Sequence, residues 1–211
     1  MNDSELVVEG PDDEHVCYQL LVKHGIDLKD MRPSFKISNA GGDIGVLRLV
    51  NQAELAIGRN IGFVIDADNS FENRVKSICD RLRNFATVDE DSFLTNGYCI
   101  ARRNDTENNI GVWVMPGKSC DGKLEDFLLD LIPDENTMIQ VAKDAVETAN
   151  MKGAEFAKKD EIKALIHVWL GLQVEPGKPM GMAIKCKYFD ATAGNSQEFV
   201  SWFRSVFVIA E

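Results

Sequence analysis

Leu6-Val7-Val8-Glu9-Gly10-Pro11-Asp12-Asp13 and Ile61-Gly62-Phe63-Val64-Ile65-Asp66-Ala67-Asp68 follow one pattern: a strand-length apolar run that stops abruptly in carboxylates. Short continuous runs rich in Val and Ile suit strands covered on both faces, as in a parallel sheet. In an open α/β sheet the carboxyl ends of the parallel strands share one edge, where ligands bind. Glu9, Asp66 and Asp68 are therefore expected to converge although they are far apart in the chain. Residues two apart on a strand point the same way, which would aim Asp66 and Asp68 at one place. Carboxylates so gathered repel one another unless a hard divalent cation sits among them. Mg²⁺ (or Mn²⁺) takes oxygen ligands of this kind.

The surrounding pattern is β-α-β. The segment Asp12 to His24 sets Val16, Leu20 and Leu21 on one helical face, with Asp12 or Asp13 to cap its start and Gly25 its end. Ser34-Phe35-Lys36-Ile37-Ser38 alternates like a short strand and breaks at Asn39-Ala40-Gly41-Gly42. Ile44 to Ile57 is read as a helix stopped by Gly58. Asn69-Ser70 caps a helix from about Phe71 to Phe85. Gly97 to Ala101 and Ile110 to Met115 read as two strands, paired through the polar loop between them. Beyond them the chain reads as helices at Lys123 to Leu131, Asp134 to Asn150, Glu161 to Leu170 and Ser196 to Phe207, with a Pro- and Gly-rich loop from Glu175 to Gly181. The expected architecture is α/β: a mainly parallel central sheet flanked by helices over residues 1–132. A mostly helical extension, 133–211, packs on the same domain.

Composition narrows the function classes. The chain has 211 residues, 45% of them hydrophobic, enough for a real core. It has no apolar run of about 18 residues, so no membrane span is expected. Its acidic start, Met1-Asn2-Asp3-Ser4-Glu5, is unlike a secretory signal, and the five widely spaced cysteines form no C-x-x-C pair. Reduced thiols in the cytoplasm are the expectation. With 34 acidic and 23 basic residues the net charge is −11, a field that repels polyanions. Nucleic acid is thus expected to bind weakly if it is a partner. A second copy of the chain, or another protein, is the other expectation.

Glu9-Gly10-x-x-Asp13 after one apolar strand, Gly41-Gly42, then Asp66-x-Asp68 after another, together resemble the Toprim domain. That domain is shared by topoisomerases, bacterial primases, the small maturase nucleases of ribosomal RNA and the overcoming-lysogenization-defect nucleases. The resemblance covers roughly residues 5 to 130. Trp113-Val-Met-Pro116 and Gly122-Lys-Leu-Glu125-Asp126 resemble a small group of uncharacterised stand-alone Toprim-like proteins. In the overcoming-lysogenization-defect nucleases a Leu-Glu opening a late helix adds a carboxylate to the site, and Leu124-Glu125 matches it. The resemblance implies that Asp66 and Asp68 hold Mg²⁺ together with Glu9, or that Glu9 acts as a general acid/base. It implies that Asp13 and Glu125 help bind a second cation, and that a lysine meets the phosphate, for which Lys163 is the candidate. His167, one turn further on, is read as structural.

Other signals carry less. Gly117-Lys118-Ser119 resembles the end of a P-loop, but Gly111 precedes it one residue too far away, across strand residues. Trp113, Trp169 and Trp202 sit among apolar neighbours and read as core. Tyr18, Tyr98 and Tyr188 stand in no module of the kind a topoisomerase needs. The 211 residues show no zinc-binding region of a primase and no ATPase domain. The function expected is a Mg²⁺-dependent protein acting on phosphodiesters, a small nuclease or related phosphotransferase. The rival is a Toprim-like regulatory or interaction module that binds a cation without turnover. A dehalogenase-type phosphatase fits poorly, because its nucleophilic aspartate ends an N-terminal strand, whereas Asp66 follows a whole β-α-β unit.

Overall fold

The computed structural model describes residues 4–28, 35–53 and 59–207. Six strands form one sheet: β1 (Ser4–Val8), β2 (Phe35–Asn39), β3 (Ile61–Asp66), β4 (Ala86–Thr87), β5 (Tyr98–Arg103) and β6 (Asn109–Met115). Their order is β2-β1-β3-β6-β5-β4. β2, β1, β3 and β6 run parallel, and β5 and β4 are antiparallel additions at one edge. The mostly parallel sheet is the one expected, as is the pairing of β5 with β6.

Alternation along the strands divides the core in two. Leu6, Val8, Val64, Trp113 and Met115 face one layer, with helices α1 (Pro11–Lys23), α5 (Leu124–Leu129), α6 (Met138–Met151), α7 (Glu161–Gly171), α8 (Met180–Lys185) and α9 (Gly194–Phe207). Val7, Phe63, Ile65, Val112 and Val114 face the other, with α2 (Asp43–Asn51), α3 (Phe71–Leu82) and α4 (Glu90–Asn96). Each large apolar side chain so buried contributes about 1.5–3 kcal/mol. Trp113, Trp169 and Trp202 are all core residues. Among the described residues, no helix is long and apolar enough to cross a membrane.

Several boundaries differ from the expected ones. α2 ends at Asn51; Leu55, Ile57 and the Gly58 stop lie outside the described residues, as does Ser34 before β2. α3 ends at Leu82, not Phe85. α6 starts at Met138, not Asp134, because Asn136 first closes a turn on Pro133 and its side chain accepts from Trp169 Nε1 at 3.2 Å. β4 and α4 were not foreseen, being too short for periodicity. Nor was α8, which begins at Met180 and so takes Met180 and Gly181 out of the stretch expected as a loop. There Gly181 lets α8 press on α1: a Cβ would meet the His15 backbone at 2.8 Å.

α9 closes the first layer over β3, β5 and β6, and Gly111 on β6 makes that approach possible. A Cβ there would run into Val206 and Trp202. Gly111→Ala is therefore expected to cost about 1–3 kcal/mol by overpacking. At about 2–4 °C per kcal/mol for a chain of this size, thermal melting will register it. Gly171→Ala, at a helical position with open space around it, should be neutral or slightly stabilising. Equal melting points for the two variants would contradict this account of how α9 is seated.

Candidate metal centre

The sheet's order reverses at β1. The chain leaves β1 for β2 on one side and returns to β3 on the other, so the carboxyl ends of β1 and β3 open a crevice between them. Glu9 follows β1 and Asp66 ends β3, and the Asp66 backbone N–H donates to Glu9 Oε1 at 2.8 Å. Gly41 (φ +75°) and Gly42 (φ +107°) turn the chain after β2 in conformations that side chains rarely adopt, and Gly42 N–H donates to the Glu9 carbonyl at 2.8 Å.

Asp13 sits in the first turn of α1, 9% exposed, and its Oδ2 accepts from Gly10 N–H at 3.0 Å. It caps the helix from inside, and Pro11 suits the first helical position. Glu125, 7% exposed, stands in the first turn of α5 and pairs with Lys163 Nζ of α7 at 3.2 Å. Asp66 Oδ1 accepts from Leu124 N–H at 3.1 Å, which ties β3 to the start of α5. Glu9, Asp13, Asp66, Asp68, Glu125 and Lys163 all line one cleft of about 590 Å³. His167 is exposed and lies outside it.

Asp68 reaches the cleft by a different route from the one expected. β3 stops at Asp66, and Asp68 has a left-handed backbone, φ +56°, so strand alternation does not aim it. Instead its N–H and C=O bond to Gly122, at 2.9 and 3.0 Å, which fixes the turn against the loop before α5. Aspartate tolerates this conformation better than most side chains.

Burial of like charges dominates the electrostatics. Burial, with the charges of Glu9, Asp13, Glu125 and Asp68, pushes the Asp66 carboxyl up to about 9. Glu9 is raised to about 7, chiefly by burial, partly offset by the Asp66 N–H. Asp13 is raised to about 6, again by burial first, against the Gly10 N–H that favours its charged form. Burial also works against the Lys123 ammonium, but the hydrogen bond and charge of Asp68 override it and raise its pKa.

Three cations that the sequence reading did not single out, or singled out for another purpose, hold these carboxylates. Arg74 of α3 donates to Asp68 Oδ2 at 2.9 Å and to Asp43 Oδ2 at 3.3 Å. Lys123 Nζ pairs with Asp68 Oδ1 at 3.1 Å. Lys163 holds Glu125. Asp121, also unforeseen, caps α3 by accepting from Phe71 N–H at 2.7 Å, beside the expected cap Ser70. Lys123 adjoins the Leu124-Glu125 motif and could have been found there. Arg74 carries no motif and is delivered only by the course of α3.

The donor set is all carboxylate, which suits a hard cation such as Mg²⁺, and a cation would offset the repulsion that adds to burial in raising Glu9, Asp13 and Asp66. Yet among the described residues no three His, Cys, Asp or Glu side chains stand grouped to hold a metal ion. Asp68 and Glu125 point to ammonium and guanidinium groups instead, so coordination requires those side chains to turn.

The family match now joins this geometry. The chain belongs to the DUF3226 family. That family is described as a protein of unknown function, and its profile matches residues 3–208. No curated protein matches the sequence. Among solved structures the chain is similar to the C-terminal region of the OLD protein of Xanthomonas campestris pv. campestris, with TM-score 0.53 and 13% identity over 99% of this chain and 95% of that one. It is also similar to the C-terminal region of the Burkholderia pseudomallei OLD protein, with TM-score 0.51 and 12% identity over 98% and 99% of the two chains. At such identity the likeness establishes the fold alone. It extends well past residues 5 to 130, where the sequence resemblance was expected to end, and takes in the C-terminal helices.

A carboxyl whose pKa is higher folded than unfolded stabilises the fold below its unfolded value, near 4, and that stability is lost as pH rises through the folded value. Asp66, raised to about 9, sets a window from about 4 to about 9. Asp66→Asn keeps an acceptor for Leu124 N–H and removes the charge. With chelator present, it should melt like wild type near pH 4 and at least about 2–4 °C higher at pH 8, the equivalent of roughly 1 kcal/mol. A difference that does not vary with pH would show that Asp66 is not under this strain.

Proposed function

We propose that this protein is a Toprim-like, Mg²⁺-dependent enzyme acting on phosphodiesters, a small nuclease or a related phosphotransferase. The observation that carries the reading is the convergence of Glu9, Asp13, Asp66, Asp68, Glu125 and Lys163 on one cleft at the carboxyl edge of the sheet. The fold likeness to the C-terminal regions of OLD proteins supports it, since the sequence motifs resemble the overcoming-lysogenization-defect nucleases.

In this reading Asp66 and Asp68, with Glu9, hold one divalent cation, and Asp13 and Glu125 contribute to a second. Bound cations in such a site stabilise charge on the attacking and leaving oxygens of a phosphoryl transfer. Glu9 has the alternative role of general acid/base, to which its pKa of about 7 is suited. Lys163, on the rim beside Glu125, would meet a phosphate oxygen. The net charge of −11 means that a long polyanion gains little outside the cleft.

One observation favours the rival, a regulatory module that binds a cation without turnover. The ion pairs of Asp68 with Arg74 and Lys123, and of Glu125 with Lys163, give these two carboxylates cationic partners from the chain itself. Cleavage assays on single- and double-stranded DNA and RNA with Mg²⁺ or Mn²⁺ separate the two. Cleavage by wild type that falls at least about 100-fold in an Asp66→Ala/Asp68→Ala protein is the expected outcome. Cation binding by calorimetry without cleavage of any of these substrates would favour the module. Absence of cation binding would end both readings.

A further inference from the structure

The backbone and the ammonium of Lys123 are engaged separately. Its backbone already has a structural task, since its N–H donates to Asp126 Oδ2 at 2.8 Å at the start of α5. Its ammonium takes no part in that hydrogen bond. It extends into the cleft, about a quarter exposed, and meets Asp68 Oδ1 at 3.1 Å. The other oxygen of the same carboxylate is taken by Arg74. Asp68 is thus paired on both oxygens, and a metal ion drawing on this carboxylate competes with both cations.

The two cations differ in what each would lose. Arg74 also reaches Asp43, so it keeps a carboxylate partner if Asp68 turns away. Among the described residues, Asp68 is the only carboxylate paired with Lys123. An ammonium freed inside a partly desolvated cleft needs an anion in exchange. Nine acidic side chains and three lysines line that cleft, an excess that disfavours an anion until divalent cations offset it.

We infer that Lys123 is a phosphate-binding residue of this site, occupied by Asp68 in the cation-free protein and released to a substrate phosphate when a divalent cation draws Asp68 away. The inference rests on the metal-site reading above and deepens it. Cation and phosphate then bind in order, and each favours the other through the partner exchange of one carboxylate. Lys163 stands in the same relation to Glu125 but is more exposed, 51% against 27% for the Lys123 side chain, and so is less firmly directed.

The test uses binding, with inorganic phosphate as the probe, on the full chain. Calorimetry of Mg²⁺ alone, then of phosphate with and without saturating Mg²⁺, is run on wild type, Lys123→Met, Lys123→Arg and, as an exposed control, Lys152→Met. Wild type should bind phosphate only when Mg²⁺ is present. Lys123→Met should lose at least about tenfold in phosphate affinity and gain in Mg²⁺ affinity measured without phosphate, because Asp68 has lost a competing partner. Lys123→Arg should recover part of the phosphate affinity, and Lys152→Met should match wild type. Circular dichroism and thermal melting of each variant check its folding independently. Unchanged phosphate affinity in Lys123→Met, or weakened Mg²⁺ binding in it, would overturn the role of Lys123 while leaving the metal site intact. Phosphate binding by cation-free wild type would overturn the exchange. Failure of wild type to bind Mg²⁺ would instead remove the reading on which the inference rests.

Discussion

The hydrogen bond from the Asp66 backbone N–H to Glu9 is the joint around which this molecule is arranged. It spans the crevice where β1 and β3 part, and Asp66 in turn accepts from Leu124, so the ends of two strands and the start of α5 meet through carboxylates. A parallel sheet whose order reverses at β1 leaves this edge uncovered by its own crossovers. Polar groups must finish it, because backbone N–H groups buried there need acceptors. Carboxylates satisfy them, and the same choice concentrates negative charge in a poorly hydrated place.

That concentration governs the rest of the site. Backbone donors at Gly10, Asp66 and Leu124 stabilise the buried carboxylates, and Arg74, Lys123 and Lys163 approach from α3, the α5 loop and α7 to neutralise the remainder. Even so Asp66, Glu9 and Asp13 keep pKa values far above the ordinary carboxylate range. Apolar side chains or neutral amides at these positions would carry no such cost, and carboxyls strained in this way are of the kind that cluster at functional sites.

The C-terminal helices belong to this arrangement structurally. α7 delivers Lys163, α8 packs on α1 through Gly181, and α9 covers β3, β5 and β6 with Phe199, Trp202 and Phe203 in the core shared with β1 and α1. The likeness to the OLD C-terminal regions runs over nearly the whole chain for the same reason: the helical layer is one face of the sheet's core.

The four parallel strands, the β5–β6 pair and most of the helices were legible because each rests on a local pattern of apolar residues long enough to read. β4, α4 and α8 were not, since two to seven residues show no period. Glu9, Asp66 and Asp68 could be named from the chain because they stand where apolar runs end, and Asp13 and Glu125 because their motifs resemble the Toprim domain. Of their ion-pair partners, Lys163 was a candidate from the resemblance and Lys123 lies within a quoted motif, but Arg74 is an ordinary helix residue until the fold carries it to Asp68. Sequence by itself therefore determined which strands carry acids at one edge, through hydrophobic runs that end in charge. Only the tertiary structure decided that Asp68 enters by a left-handed turn pinned to Gly122, and which cations neutralise the cleft, because those facts depend on contacts between segments distant in the chain.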